Sequence, residues 1–163
     1  MQTSPVYIKL LTRIRLTIVF FMLALIVSGA TAFPLETELN WLLGYRNHMP
    51  AGLAAFITNV YEALHYTNLH YPMLAYGYDW LAFAHIVIAM FFIGPLKDPI
   101  KNIWVTEWGM LACVAIIPMA FIAGSVRGIP FYWTCIDCSF GIFGIIPLYL
   151  LRNWIKKLEG MQK

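Results

Sequence analysis

Charge is the scarcest property of this 163-residue chain. Asp, Glu, Lys and Arg make up only 12% of the residues, whereas soluble globular domains carry about 25%. Apolar residues make up 61%, and the mean hydropathy is +0.71. So little charge excludes a soluble enzyme, a disordered chain and a nucleic-acid-binding domain. The composition predicts an integral membrane protein surrounded by the lipid bilayer.

Four runs of the sequence are long and apolar enough to cross a bilayer. A helix needs about 20 largely apolar residues to span the hydrocarbon core. The predicted spans cover about residues 16–33, 80–96, 108–126 and 131–151, and no fifth run has the length. The sequence therefore predicts one all-α membrane domain over residues 1–163, folded as a bundle of four transmembrane helices.

The cationic residues are distributed unevenly between the two sides of such a bundle. Nine of the eleven Lys and Arg residues fall in the N-terminal tail, in the short turn between spans two and three, and in the C-terminal tail. Only Arg46 and Arg127 fall on the opposite side. Short cytoplasmic segments are enriched in Lys and Arg. We therefore expect both termini to be cytoplasmic and the membrane to be a bacterial inner membrane.

The first run admits a second interpretation. The cations Lys9, Arg13 and Arg15, the apolar run and the sequence Ala-Thr-Ala at residues 30–32 together resemble a secretory signal peptide with its cleavage site. The apolar run of about 18 residues is longer than the 7–15 residues of a typical signal peptide. We therefore favour an uncleaved anchor. Cleavage would leave three spans and would not move the candidate sites.

The one sizeable connection, residues 34–79, lies on the non-cytoplasmic side. Within it, apolar residues recur at helical spacing between residues 51 and 66. Polar residues, among them Glu62 and His65, fall on the opposite side of that helix. The pattern predicts an amphipathic helix that lies on the membrane surface or caps the bundle.

His85 is an ionisable residue within a predicted span. Such a residue usually faces the bundle interior and serves a function. His85 is a candidate to ligate haem, to donate to a quinone carbonyl or to relay protons. The alternative is a hydrogen bond to the backbone of a neighbouring helix. No other predicted span contains a histidine, so a bis-histidine haem is not expected.

Three further residues near the non-cytoplasmic ends of the spans complete a candidate ligand pocket. Asp79 precedes the second span, and Asp137 lies deeper in the fourth, where a carboxylate needs a partner such as Arg127, His85 or a tyrosine hydroxyl. Tyr132 is one of seven tyrosines on this side, a concentration typical of an aromatic belt or of a pocket lined with hydroxyls. We expect these residues and His85 to line one pocket for a ligand or cofactor.

Glu62 and His65 form a Glu-x-x-His pair on one face of the predicted amphipathic helix. Carboxylate-bridged metal sites use that spacing twice and add further carboxylates. Here it occurs once, and His70 and His48 could complete a mononuclear site. Imidazole ligands suit zinc, copper or iron. A solvated polar helix face explains the same pattern without a metal.

Cysteine is scarce, with three residues in the chain. Cys135 and Cys138 form a Cys-x-x-Cys pair at the non-cytoplasmic end of the fourth span, a spacing that permits a catalytic dithiol in an oxidising compartment. Together with four spans and a long first connection, the pair resembles the vitamin K epoxide reductase family, and the resemblance implies quinone-linked disulfide formation at these two residues. That family relays electrons through a second cysteine pair in the long connection, whereas residues 34–79 contain none. We therefore do not transfer the activity; two small thiols on a packing face are the alternative.

Small residues recur along two of the spans. Cys138, Gly141 and Gly144 fall at every third position of the fourth span, and a similar stripe with four-residue spacing begins at Ala24 in the first. Small residues let helix backbones approach closely in a membrane. We expect a tight pairing of spans one and four.

These features favour a small, non-catalytic subunit or accessory protein of a membrane complex, with a protein partner or a second copy of the chain. The sequence contains no complete catalytic set, and it has little soluble surface. The alternative is a membrane oxidoreductase whose outward-facing pocket holds haem, a metal ion or a quinone. A third hypothesis is an oligomer that conducts ions or protons through Asp79, His85 and Asp137. No nucleic-acid partner is expected.

Overall fold

The computed structural model describes residues 4–162 and is helical throughout, with no β-strand in that range. The α-helices of this part of the chain are α1 (Pro5–Ala32), α2 (Leu35–Leu43), α3 (Ala51–His70), α4 (Pro72–Phe91), α5 (Ile93–Lys97), α6 (Ile103–Arg127) and α7 (Phe131–Gly160). One 3-10 turn, Arg46–His48, lies between α2 and α3.

Four segments of the described chain are long and apolar enough to cross a membrane. They are Pro5–Ala32, Pro72–Lys97, Ile103–Arg127 and Phe131–Gly160. Between 11% and 28% of the most apolar window of each segment is buried within the chain, so most of that apolar surface faces outward. A bilayer covers such a surface. The expected all-helical class, with four helices apolar enough to span a membrane, is confirmed.

Each predicted span overlaps one of these four segments, although several bounds differ. The second segment begins eight residues earlier than expected. Its apolar run was expected at residues 80–96, yet α4 begins at Pro72. Proline suits the first position of a helix because its missing N–H would have no partner there. His85 consequently lies thirteen residues after Pro72 and twelve before Lys97, near the middle of the segment.

Glycine and proline set the connection between α6 and α7. Gly128 ends α6 with a φ of 66°, in the left-handed region, and its N–H bonds back to the carbonyls of Gly124 and Ser125. Glycine adopts this conformation without the penalty that a Cβ imposes. Pro130 then precedes the first residue of α7. The two helices therefore form a tight hairpin.

The chain divides into two compact units, and the cut falls within α1 and α4. Within residues 4–162, the first unit comprises the chain up to Met22 and from Met90 onward, and the second comprises Leu23–Ala89. In the first unit, α7 has a buried stripe at helical spacing. Its members are Thr134, Cys138, Gly141, Leu148, Leu151, Ile155 and Leu158. The first half of α1 buries Leu10, Ile14 and Ile18, again along one helix face.

Within the first unit, α6 and α7 approach each other closely at Gly141. A Cβ at that position would lie 2.4 Å from the carbonyl oxygen of Cys113, closer than real Cβ atoms come. One turn later, a Cβ at Gly144 would lie 3.1 Å from the Sγ of the same cysteine. The small-residue stripe of the fourth span therefore packs on α6, where the sequence favoured the first span. An ion pair of 2.7 Å between Glu107 and Arg152 also joins these two helices.

The second unit contains α2 and α3, which pack together, and parts of α1 and α4. Its closest backbone approach is at Gly29, on α1. A Cβ there would lie 2.5 Å from the carbonyl oxygen of Ala82 and 3.0 Å from the Cβ of His85, both on α4. Only a residue without a side chain fits this crossing.

Candidate functional site

Four polar side chains form a hydrogen-bonded network in the second unit. The carboxylate of Glu36, on α2, accepts hydrogen bonds from two side chains of α3, namely His65 Nδ1 at 2.5 Å and Asn68 Nδ2. The hydroxyl of Tyr78, on α4, donates to Asn68 Oδ1 at 2.6 Å. This Glu36 network therefore joins three helices through side chains.

The local sequence explains how these groups meet. Glu36 lies in the first turn of α2, where the helix dipole favours a carboxylate. The chain turns after Gly44, and α3 returns along α2, so that residues 29 and 32 positions away reach Glu36. His65 and Asn68 are three residues apart and therefore share one face of α3.

The network lowers the pKa of Glu36 and fixes the hydrogen-bonding role of one His65 nitrogen. Hydrogen bonds from His65, and secondarily from Asn68, hold the pKa of Glu36 below its usual value. Because an ionised carboxylate only accepts hydrogen bonds, Nδ1 of His65 carries a proton and Nε2 remains as the free ring position. The His65 side chain is 47% exposed, and the ring of Tyr61 stacks on it at 5.7 Å. A carboxylate-oriented, accessible imidazole is suited to proton transfer or to ligand binding through Nε2.

We expect the contribution of the Glu36 carboxylate to stability to disappear in acid. Because its pKa is lowered by folding, this contribution is complete above the ordinary value of 4.5 and is lost as the pH falls through the folded-state pKa. Glu36→Gln, which resembles the protonated carboxyl group, should lower the thermal unfolding midpoint at neutral pH. The difference from the wild type should vanish once the carboxyl is protonated.

Glu38→Gln is the matched control for this experiment, since Glu38 is exposed on the same helix. It should change the unfolding midpoint little at either pH. A deficit in Glu36→Gln that stays the same from neutral to acidic pH would contradict a role for the ionised carboxylate.

The residues predicted to hold a metal ion do not form a ligand cluster. No group of three or more His, Cys, Asp or Glu side chains that could hold a metal ion occurs in the described part of the chain. Glu62 is exposed, and His65 pairs with Glu36. Nδ1 of His70 donates to the carbonyl oxygen of Tyr66 at 2.9 Å, and the two rings stack. The set Glu62, His65 and His70 stays a prediction without support from this geometry.

His85 lies on an exposed face of α4, near the middle of a candidate span. Its Nδ1 donates to the carbonyl oxygen of Leu81, one turn earlier, at 2.9 Å. In the neutral ring, Nε2 then presents a lone pair, and no described hydrogen bond reaches it. The residues along the same face, Leu74, Leu81 and Ile88, are exposed and apolar. His85 is therefore an exposed polar group at the edge of the α1–α4 crossing, beside a stripe of exposed apolar residues.

The other predicted pocket residues are distributed over both units. Asp79 lies half-buried on α4 in the second unit, and Asp137 and Tyr132 lie on α7 in the first. Asp137 lines an open, mostly apolar groove of about 320 Å³ between α6 and α7. Arg127, one of its expected partners, lines the same groove, and no described ion pair joins the two. The convergence of Asp79, His85, Asp137 and Tyr132 on one pocket stays a prediction.

The cysteines of the described chain are all free thiols. Cys135 is exposed, whereas Cys113 and Cys138 are buried. Cys138 belongs to the buried stripe of α7, as expected of a thiol on a packing face. A catalytic role for Cys135 and Cys138 stays a prediction.

No protein-family model, no curated protein and no solved structure matches this chain. The chemistry and placement of its own residues are therefore the guide to its function. The two features that call for a functional explanation are the outward-facing imidazole of His85 and the Glu36 network.

Proposed function

We infer that the protein is a non-catalytic subunit or accessory of a membrane complex, and that α4 contacts a larger partner at His85. One observation carries this proposal, which is the exposed imidazole near the middle of a candidate membrane span. Its Nδ1 is satisfied within its own helix, while its Nε2 has no described partner. A membrane-facing lone pair has no water with which to form a hydrogen bond.

An unsatisfied polar group in hydrocarbon needs a hydrogen-bonding partner. Leaving such a group unsatisfied costs several kcal/mol of free energy in the bilayer core. Polar side chains between membrane helices therefore act as specific hydrogen-bonding contacts. A transmembrane helix of a partner that carries a hydroxyl or amide donor would satisfy Nε2. The apolar residues Leu74, Leu81 and Ile88 would pack around that hydrogen bond. The occupant is therefore a partner helix with one polar side chain at the same depth.

The proposed placement is a bacterial inner membrane with both termini in the cytoplasm. Nine of the eleven cationic residues support it, since they would lie on the cytoplasmic side. The Glu36 network and α3 would then lie at the non-cytoplasmic surface of this inner membrane. An amphipathic role for α3 is supported by its buried Ile57 and by the exposed Glu62 and His65. Four spanning helices would form the bundle.

Site-specific photocrosslinking in native membranes tests the contact. A photoreactive amino acid at position 85 is expected to give one adduct with a larger membrane protein. The control is position 83, because Phe83 is also exposed, lies only two residues away and points to a different side of α4. Equal labelling from both positions would contradict a specific contact. An adduct of exactly two copies of this chain would replace the larger partner with a homo-oligomer.

A second candidate function is a membrane oxidoreductase with an outward-facing pocket for haem, a metal ion or a quinone. The hydrogen bond between Glu36 and His65 favours it, because carboxylates orient histidines in this way at metal centres and at sites of proton transfer. His85 would be the first candidate ligand within the membrane, and Cys135 with Cys138 the candidate redox pair. If this function is correct, Cys135→Ser and His85→Ala should abolish activity while the protein level stays normal.

An absorption spectrum of the detergent-purified protein, before and after dithionite, tests the haem and coloured-metal forms of this second function. Under the subunit proposal we expect no reducible band in the visible region. A haem or metal band that disappears in His85→Ala at an unchanged protein level would favour the oxidoreductase and contradict the non-catalytic subunit.

A further inference from the structure

A small polar cavity lies in the first unit, among the start of α1, the segment after α5 and the end of α7. Its volume is about 190 Å³. The polar and charged residues that line it are Tyr7, Arg15, Lys97, Asp98 and Gln162. None of them belongs to the Glu36 network or to the face around His85. This cavity is therefore unrelated to the proposed partner contact.

Two cations without a described ion-pair partner line this cavity. Arg15 immediately precedes the uncharged first run, and Lys97 immediately follows the second. By contrast, Arg152 pairs with Glu107 at 2.7 Å, and Lys101 lies 3.7 Å from the carboxylate of Asp98. Arg15 and Lys97 thus bring two cations that form no described ion pair to a single cavity.

The remaining polar groups of the cavity suit an anion. Asp98 is the one carboxylate in the lining, and Lys101 engages it through both its ammonium group and its backbone N–H. The hydroxyl of Tyr7 accepts a hydrogen bond of 2.8 Å from Gln162 Nε2, which leaves its own proton free to be donated. The cavity therefore offers a guanidinium, an ammonium and a hydroxyl donor.

The cavity also lies where lipid phosphates are found. α1 has 28 residues and α7 has 30, which correspond to lengths of about 42 and 45 Å at 1.5 Å per residue. The hydrocarbon core is only about 30 Å thick, so the ends of these helices extend into the headgroup layer. Arg15 and Lys97 each lie at the boundary of an apolar run, at that level.

We propose that this cavity binds the phosphate of an anionic lipid headgroup. The guanidinium of Arg15 binds two phosphate oxygens through its planar fork, and Lys97 supplies a point charge. The Tyr7 hydroxyl donates to a third oxygen. The acyl chains of the lipid extend along the apolar outer surface of the spans. A soluble phosphate compound has the same binding chemistry, and the experiment separates the two sources.

Native mass spectrometry of the detergent-purified protein, titrated with phosphatidylglycerol, tests the proposal. Arg15→Gln and Lys97→Gln are each expected to weaken phosphatidylglycerol binding by about ten-fold, as a charge-assisted hydrogen bond does. Arg13→Gln is the matched control, because it removes the same charge two residues away, outside the cavity lining. It should change the affinity less than about two-fold. Unfolding midpoints measured in parallel identify any variant that fails to fold, and Arg15→Lys should then retain part of the affinity.

Three results would overturn the proposal. An equal loss in Arg13→Gln would reduce the effect to diffuse surface charge, and equal affinity for the zwitterionic phosphatidylcholine would remove the requirement for an anion. Displacement of phosphatidylglycerol by an equal concentration of inorganic phosphate or glycerol phosphate would assign the cavity to a soluble phosphate compound. We expect neither competitor to displace the lipid, because they lack the acyl chains that hold it at the membrane.

Discussion

A single methyl group added at Gly141 or Gly29 should destabilise the protein by about 1–3 kcal/mol, more than alanine at any other glycine of the described chain. The Cβ of alanine would lie 2.4 Å from the Cys113 carbonyl oxygen at position 141, and 2.5 Å from that of Ala82 at position 29. Both obstacles are backbone atoms of a neighbouring helix, so no side-chain rotation relieves them. The helices must move apart and lose packing along their contact.

Unfolding in a titration with a denaturing detergent, followed by tryptophan fluorescence, measures this effect. Gly77→Ala is the control, because a Cβ at Gly77 meets nothing within 4 Å. Alanine there should be neutral or should stabilise α4 by about 0.5–1 kcal/mol through helix propensity. If Gly141→Ala and Gly77→Ala unfold at the same detergent fraction, α6 and α7 do not approach as closely as described.

His85→Leu should weaken the association of the protein with its partner by roughly three- to thirty-fold, which corresponds to the loss of one hydrogen bond between membrane helices. Leucine is similar in size to histidine and is compatible with lipid, so the isolated chain should unfold at the same or a higher detergent fraction. Loss of assembly with unchanged stability is the result that distinguishes an interface residue from a structural one. Quantitative co-purification from native membranes provides the measurement.

Phe83→Leu is the control on the opposite exposed side of α4 and should leave assembly unchanged. His85→Gln keeps a polar group that accepts a hydrogen bond and should restore part of the complex. If His85→Leu assembles normally, the exposed imidazole is not the contact. If it lowers the stability of the isolated chain instead, His85 acts within its own fold.

The sequence predicted the membrane-spanning helices because their driving force is local. An uncharged run of sufficient length can satisfy its backbone in a membrane only as a helix, whatever its neighbours are. The start of α4 at Pro72 was missed because Tyr76, Tyr78 and Asp79 interrupt the apolar run. Helix formation depends on a hydrogen-bonded backbone, whereas hydropathy reflects only how well the side chains suit lipid.

The Glu36 network could not be predicted from the sequence, because it depends on the path of the chain between α2 and α3. His65 was paired with Glu62 from their spacing, yet the carboxylate that reaches it is Glu36, 29 residues earlier. That contact exists because α3 returns along α2 after the turn at Gly44. No pattern in the sequence specifies the register of the two helices. The i, i+3 spacing of His65 and Asn68 was the one available signal.

The small-residue stripe shows the same limit. Cys138, Gly141 and Gly144 identified a face of close packing, because only small side chains allow helix backbones to touch. The identity of the opposing helix follows from the tight α6–α7 connection at Gly128, which the stripe itself does not encode. The spacing of small residues thus predicts that a helix face is packed. The connections between helices determine which helix packs on that face.

The mass of the particle extracted from native membranes in mild detergent tests the proposed subunit role most directly. We expect the chain, 18.6 kDa by itself, to appear in a larger particle with one other membrane protein at a fixed ratio. In His85→Leu the same chain should appear mainly at its own mass. A wild-type protein that is monomeric from the outset, at normal abundance, would contradict the role as a subunit.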